Sequence, residues 1–235
     1  MAKSTIEWTE STWNPITGCS HKSSGCLHCY AERLSLRLKS MGQKNYQNGF
    51  NVSFHKNVLE TPLYWKKPQM IFVNSMSDTF HEEVTRQQIK DIFSIMNRAS
   101  WHTFQILTKR PERLSEIVPI VSWTANIWLG VTIESPEYIN RLDFLKKTPA
   151  RIKFISAEPL LAPLGKIDFS GIDWLIVGGE SGPNARVMEE AWVLDLLFQS
   201  KAQGVKFFFK QWGGVNKKKH GRLLQGRTWD EMPER

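Results

Sequence analysis

From about residue 68 onward, short apolar runs rich in β-branched and aromatic residues alternate with longer amphipathic stretches. The runs are typical of buried strands, and the stretches between them repeat their apolar positions at helical spacing. This alternation predicts βα units, in which helices cover a parallel sheet that is either open or closed into a barrel. The predicted strands are 70–73, 103–107, 127–132, 152–155, 174–177 and 205–209, and the predicted helices are 83–99, 112–117, 136–147 and 189–203.

The chain ahead of residue 68 has a different pattern. A short strand is predicted over residues 5–9, followed by a loop rich in glycine, serine and cysteine and a helix over 31–39. Glycine, asparagine and proline recur over residues 40–68, which predicts irregular chain. We assign residues 1–212 to a single α/β domain, and residues 213–235, which have few apolar positions, to a basic C-terminal extension.

Composition places the chain among ordinary globular proteins. Its 235 residues are 41% hydrophobic and 23% charged, which excludes collagen-like and largely disordered classes. The N-terminus lacks the apolar core of a signal peptide, and no apolar run is long enough to span a membrane. We therefore expect a cytoplasmic protein with no membrane contact.

The net charge of +8 is concentrated at the two ends of the chain. Residues 1–50 hold six Lys/Arg against three Asp/Glu, and residues 201–235 hold nine against three. A basic rim on a near-neutral body suits a polyanionic partner such as DNA or RNA, for which Lys217–Lys219 would be contacts. The alternative is that these lysines form a solvated surface loop.

All three cysteines fall within eleven residues, with the spacing C-x6-C-x2-C: Cys19, Cys26 and Cys29. A disulfide would leave one thiol unpaired, so ligation of a metal or cluster explains the group better. A histidine, His21 or His28, would complete a structural zinc site and indicate a nucleic-acid-binding module without catalysis. Without a histidine, three thiolates would leave one iron of a [4Fe–4S] cluster open to a further ligand.

A three-cysteine loop after the first strand of a parallel α/β barrel resembles the radical S-adenosylmethionine (SAM) superfamily. Closer still is the similarity to a phage- and prophage-encoded family of three-cysteine-motif proteins, which are radical-SAM-like. The stretches that carry it are 13–19 (WNPITGC), 26–32 (CLHCYAE), 72–78 (FVNSMSD) and 177–182 (VGGESG). The spacing departs from the superfamily's usual x3 between the first two cysteines, and Gly178-Gly179-Glu180 ends a late strand rather than the second.

The resemblance implies a partial or complete TIM-like barrel of the radical SAM type. It further implies a [4Fe–4S] cluster on Cys19, Cys26 and Cys29, with SAM bound to the open iron and an electron donor such as flavodoxin or ferredoxin. Cleavage of SAM would give a deoxyadenosyl radical that modifies or repairs a substrate, for which nucleic acid is the preferred class. A homologue that binds the cluster or SAM without turnover is the remaining alternative.

Polar residues at the strand ends are the candidate SAM ligands, because parallel α/β folds bind ligands at the carboxyl ends of their strands. Carboxylates there would hold an ammonium group and ribose hydroxyls, and Lys109 or Arg110 would pair with a carboxylate. Alternatively, Glu134 and Glu158 are helix-start residues favoured by the helix dipole, and Gly178-Gly179 is a tight turn. The candidates are Asn74, Ser75, Ser77, Asp78, Thr108, Lys109, Glu134, Glu158, Gly179, Glu180 and Ser181. No catalytic residue is assigned.

Overall fold

The structure is a computed structural model that describes residues 4–216 and 221–235. Its main sheet is parallel, has seven strands in the order β1-β4-β5-β6-β7-β8-β9, and curls into a half-barrel. A separate two-stranded antiparallel sheet pairs β2 with β3. The strands are β1 (Ser11–Trp13), β2 (Ile16–Thr17), β3 (Ser53–Phe54), β4 (Met70–Val73), β5 (Thr103–Thr108), β6 (Ile127–Thr132), β7 (Ile152–Ala157), β8 (Trp174–Gly178) and β9 (Lys206–Gln211).

Helices follow most strands and return the chain to the start of the next one. They are α1 (Tyr30–Ser40), α2 (Lys56–Leu59), α3 (Arg86–Arg98), α4 (Leu114–Ile117), α5 (Arg141–Lys146) and α6 (Glu190–Ala202). The α3 helix begins at a capping box, in which the Thr85 hydroxyl accepts from the Gln88 backbone N–H and the Gln88 side chain accepts from the Thr85 N–H. The connection from β7 to β8 contains no helix.

The two faces of the half-barrel carry different cores because side chains alternate along each strand. On β8, Leu175 and Val177 face outward into the main core shared with the helices, whereas Trp174 and Ile176 face the concave side. The concave side is filled at its base by a second cluster, which is mainly aromatic: Trp8, Met70, Phe72, Trp128, Phe154, Trp174, Ile176 and Phe208. This cluster forms a dry floor beneath the carboxyl ends of the strands.

The six strands predicted after residue 68 are confirmed to within two residues, but the strand predicted over residues 5–9 is wrong. The first strand is β1, which pairs with β4 from Ser11 onward. Residues 5–9 instead form a turn, in which Thr9 N–H donates to Ile6 O at 3.3 Å. The turn places the ring of Trp8 in the concave cluster, where it packs at the base of the half-barrel. The barrel is partial, since β1 and β9 are the ends of the sheet.

The segment 221–235 lies along the outer edge of β9. Phe209 N–H donates to Trp229 O at 2.8 Å, and Glu231 N–H donates to Phe207 O at 3.2 Å. Met232 packs against the concave cluster. Lys217–Lys219, the predicted nucleic-acid contacts, lie outside the described residues. In the two described ranges, no helix is both long and apolar enough to cross a membrane.

Candidate functional site

A cavity of about 810 Å³ opens at the carboxyl edge of the half-barrel. Its volume is within the range of sites that bind small molecules and cofactors. Cys19, Cys26 and Cys29 all line it, and all three are free thiols of intermediate exposure. Inward-facing residues of five successive strands form its walls: Thr12, Phe72, Leu107, Thr132 and Ser156. The cysteine loop therefore lies over the strand ends, as the sequence predicts.

The first part of the cysteine loop is fixed by its contacts with the chain after β4. Gly18 N–H donates to Met76 O at 3.0 Å, and the Ser77 hydroxyl donates to Gly18 O at 2.5 Å. Gly18 has a positive φ of 83°, and a Cβ there would lie 2.2 Å from Asn51 O. Glycine is required at this position, because any side chain would push the loop away from the residues that support Cys19.

The second part of the loop is fixed by two carboxylates at strand ends. The Ser23 hydroxyl donates to Glu134 Oε1, and a Cβ on Gly25 would lie 2.6 Å from the same oxygen. His28 Nδ1 lies 2.9 Å from Glu180 Oε2. Because these contacts lie on either side of Cys26, they determine where its thiol enters the cavity.

Cations and backbone donors surround the thiols. Arg110 Nη1 donates to Cys19 Sγ at 3.4 Å, and Lys22 N–H donates to Cys26 Sγ at 3.5 Å. Burial, aided by the charge of Asp78, raises the pKa of Cys19 to about 11 although Arg110 opposes the shift. Burial likewise raises the pKa of Cys29, against hydrogen bonds from the backbone N–H groups of Glu32 and Ala31 and the charge of Lys109. The Cys19 and Cys29 thiols are therefore protonated at neutral pH, and binding of a metal or cluster to them would release protons.

The segment 74–78 organises the end of β4. Asn74 has a left-handed φ of 55°, and its Oδ1 accepts from Ile16 N–H at 3.0 Å. The Asp78 carboxylate accepts from the Thr108 hydroxyl at 2.8 Å and from Lys109 N–H at 3.0 Å. Ser75 Oγ donates to the side chain of Asn14 at 3.1 Å. These predicted ligands are thus largely engaged with the protein, and they join β4 and β5 to the cysteine loop.

The three strand-end glutamates differ in their surroundings. Glu134 is fully buried, accepts from Arg141 Nη1 at 2.8 Å, and lies behind the cysteine loop rather than on the cavity wall. Glu158 lines the cavity and pairs with Lys210 Nζ at 3.1 Å. Glu180 lines it as well and accepts from Arg186 Nε at 2.9 Å. Of the eleven predicted SAM ligands, the cavity wall therefore includes every one except Glu134.

Several residues that support the site were not singled out by the sequence reasoning. Arg141 forms an ion pair with Glu134, and Arg186 forms an ion pair with Glu180. Arg110, expected to pair with the carboxylate of a bound ligand, is 2% exposed and is paired with the protein's own Glu82, while it also donates to Ser20 and Cys19. In the sequence, Arg141 and Arg186 differ from other arginines only in following a strand-end glutamate by seven and six residues. Such spacings are common by chance, so they did not predict the two ion pairs.

Glu180 makes the stability of the site dependent on pH. Burial alone would raise its pKa, but hydrogen bonds from Arg186 and His28 lower it to about 2 from an ordinary value of 4.5. A lowered carboxyl pKa stabilises the folded protein above pH 4.5, and this contribution is lost as pH falls toward 2. We expect Glu180→Gln to lower the free energy of unfolding at neutral pH, with the difference from wild type shrinking across that interval. Urea unfolding at successive pH values measures this, and a difference independent of pH would contradict it.

Comparison with known proteins identifies the family of the chain. The family model described as "Protein of unknown function (DUF5131)" matches residues 3–233. No curated protein and no solved structure matched the chain. Because the family model covers nearly the whole sequence, this chain belongs to the DUF5131 family.

Proposed function

We propose that this protein is a radical SAM enzyme, with a [4Fe–4S] cluster on Cys19, Cys26 and Cys29 and SAM in the adjoining cavity. The observation that carries the proposal is the placement of three thiols from one loop on the wall of a single cavity at the carboxyl edge of a parallel half-barrel. The resemblance to radical SAM and phage three-cysteine proteins adds the identity of the cofactors.

Three thiols on one cavity wall are the donor set that a cluster with an open iron would need. Among residues 4–216 and 221–235, no three His, Cys, Asp or Glu side chains converge closely enough to surround a single metal ion. A four-iron cluster makes a different demand, because each thiolate binds a separate iron and the sulfurs stand farther apart. N–H donors on Cys19 and Cys26 would stabilise thiolate charge, as hydrogen bonds to sulfur do in such clusters.

When bound and reduced, the cluster would supply the electron that cleaves SAM to methionine and a deoxyadenosyl radical, which takes a hydrogen atom from the substrate. The chain's own residues would bind and orient the reactants. Lys109 Nζ lies 3.6 Å from Glu134 Oε1, too far for a strong hydrogen bond, and would pair with the carboxylate of a bound ligand. Phe72 and Leu107 would keep the inner end of the cavity dry and protect a radical from water.

The proposal is tested by anaerobic purification and reconstitution. Iron, sulfide and zinc are quantified, and the EPR spectrum of the reduced protein is recorded with and without SAM. We expect about four iron and four sulfide per chain, and a spectrum that changes when SAM is added. If the EPR spectrum of the reduced cluster does not change when SAM is added, the assignment of an open iron is wrong.

A structural zinc site is the second candidate, and the contact between His28 and Glu180 favours it. Histidines that bind metals commonly donate their other ring nitrogen to a carboxylate. His28 Nδ1 lies 2.9 Å from Glu180 Oε2, which leaves its Nε2 to bind a metal, but the thiols would have to move closer to share one zinc ion with it. One tightly bound zinc per chain, with unfolding on chelation, would establish this candidate in place of the cluster.

A further inference from the structure

The segment 30–50, which we name the rim segment, forms one side of the cavity mouth. Its helix α1 is tied to two strand ends: the Tyr30 hydroxyl donates to Ser75 O, and Arg33 Nη2 donates to Ser181 O at 3.3 Å. The rim segment contributes six residues to the wall of the cavity: Tyr30, Ala31, Arg33, Leu34, Tyr46 and Phe50. A ligand that fills the cavity would therefore contact the rim segment.

The α1 helix exposes the kind of face that globular proteins usually bury. Its buried residues are Ala31 and Ser35, both small. Tyr30 and Leu34 in α1, and Met41 directly after its end, lie at helical spacing along one stripe, yet they are 50%, 39% and 60% exposed. A stripe of this kind beside a cavity is suited to contact a bound molecule.

The rim segment is also cationic. It carries four cationic side chains, Arg33, Arg37, Lys39 and Lys44, and one carboxylate. That carboxylate, Glu32, is engaged with His21 at 2.9 Å. Within the described part of the chain, Arg33 makes its hydrogen bond to a backbone carbonyl and forms no ion pair with a carboxylate. The rim segment therefore offers positive charge to an anionic molecule at the mouth.

The rim segment places the partly exposed rings of Tyr46 and Phe50 and the cation of Arg33 on one cavity wall, with Arg37 one turn further along α1. This combination matches the chemistry of single-stranded nucleic acid. Bases stack on aromatic rings whatever their sequence, and phosphates pair with arginine and lysine. We infer that the rim segment binds a nucleotide strand, with an unstacked base against Tyr46 and Phe50 and phosphates on Arg33 and Arg37. The inference rests on the proposed function in one respect: the base held there would be the one presented to the radical.

A nucleotide inside a duplex would have to be flipped out to reach these rings, as in other enzymes that act on bases. Single strands are already unstacked and avoid that cost. We therefore expect single-stranded DNA or RNA to bind more tightly than the same sequence in a duplex. Comparison of the DNA and RNA strands then shows which sugar the rim accepts.

The test is fluorescence anisotropy with labelled single-stranded DNA, single-stranded RNA and duplex DNA of one sequence. Tyr46→Leu and Phe50→Leu keep an apolar side chain but remove the ring, and each should weaken single-strand binding roughly 5- to 150-fold. Tyr64→Leu is the matched control, because Tyr64 is 74% exposed and lies off the cavity wall. Its affinity should equal that of wild type.

Salt titration tests the cations separately. For single strands, the slope of log Kobs against log salt changes by about 0.7 for each phosphate contact that is lost. The double variant R33Q/R37Q should flatten the slope by roughly 1.4, whereas Arg98→Gln, an exposed arginine distant in sequence, should leave it unchanged. Unaltered affinity in the ring variants, or preferred binding of duplex DNA or an acidic protein, would overturn the inference.

The outcomes for the inference and for the proposed function remain distinguishable. Ring variants that bind normally while the protein still holds iron and cleaves SAM would reject the rim as the binding site and leave the enzyme assignment intact. Ring-dependent binding by a protein that holds zinc and leaves SAM uncleaved would support the rim and reject the radical mechanism.

Discussion

Replacing Cys26 by alanine is expected to abolish reductive cleavage of SAM, with bound iron falling from about four atoms per chain toward zero. Cys26 is the middle thiol of the three on the cavity wall. Its removal leaves two thiolates, which cannot hold a cluster with one open iron. Product analysis by mass spectrometry, together with iron determination, measures the loss. Cleavage at the wild-type rate would reject the assignment of Cys26.

The fold should survive this substitution. Cys26 lies in a short 3₁₀ turn, is partly exposed, and makes weak contacts with Lys22 N–H at 3.5 Å and Ser23 Oγ at 3.7 Å. Ser24→Ala is the matched control, since Ser24 lies in the same turn, is exposed, and uses its backbone N–H for its contact with Tyr138. The control should retain iron and activity, while both variants keep the circular dichroism spectrum of wild type.

Replacing Glu134 by alanine should produce the largest loss of stability among changes near the site. Glu134 is fully buried, and its partner Arg141 is 3% exposed. Removal of one member of a buried pair leaves an uncompensated charge, which costs about 3–5 kcal/mol. The loop would also lose the acceptor of the Ser23 hydroxyl, so cluster reconstitution should fall as well. Urea unfolding and iron content measure the two effects.

Two further variants test whether the loss of stability comes from the unpaired buried charge or from any change in this part of the chain. Glu137 is exposed three residues away, and Glu137→Ala should change stability by less than about 0.5 kcal/mol. Adding Arg141→Met to a Glu134→Leu variant removes both charges and should restore part of the lost stability. If the double variant is as unstable as Glu134→Ala, loss of the ion pair is not the cause.

Hydrophobic periodicity was sufficient to predict the strands and long helices of the repeating part of the fold. The strands 127–132 and 174–177, for example, are apolar at nearly every position because the concave cluster covers one face and helices cover the other. Hydrophobic periodicity does not predict the first strand correctly, because the side chain of Trp8 is buried although its backbone forms a turn rather than a strand. The α1 helix was predictable because the local helix propensity of its residues is sufficient to indicate it. The exposure of its apolar stripe depends on tertiary packing and was not predictable in the same way.

The site residues were predictable as a set of positions but not as a network. The alternation of strands and helices along the chain predicts a parallel sheet. The carboxyl ends of parallel strands bring Asn74, Thr108 and Glu158 to one edge. The pairing of each side chain depends on three-dimensional neighbours far apart in sequence, such as Glu180 with His28. The sequence therefore did not reveal that Glu134 supports the loop from behind instead of lining the cavity.

The C-terminal segment along β9 also bears on aggregation. The strand β9 contains three consecutive phenylalanines, Phe207, Phe208 and Phe209, between Lys206 and Lys210. An uncovered edge with this composition recruits strands from other molecules, and flanking lysines oppose such growth. The backbone bonds from Phe207 and Phe209 to residues 229–231 occupy that edge. Residues 221–235 thus occupy backbone groups through which copies of the sheet would otherwise pair edge to edge.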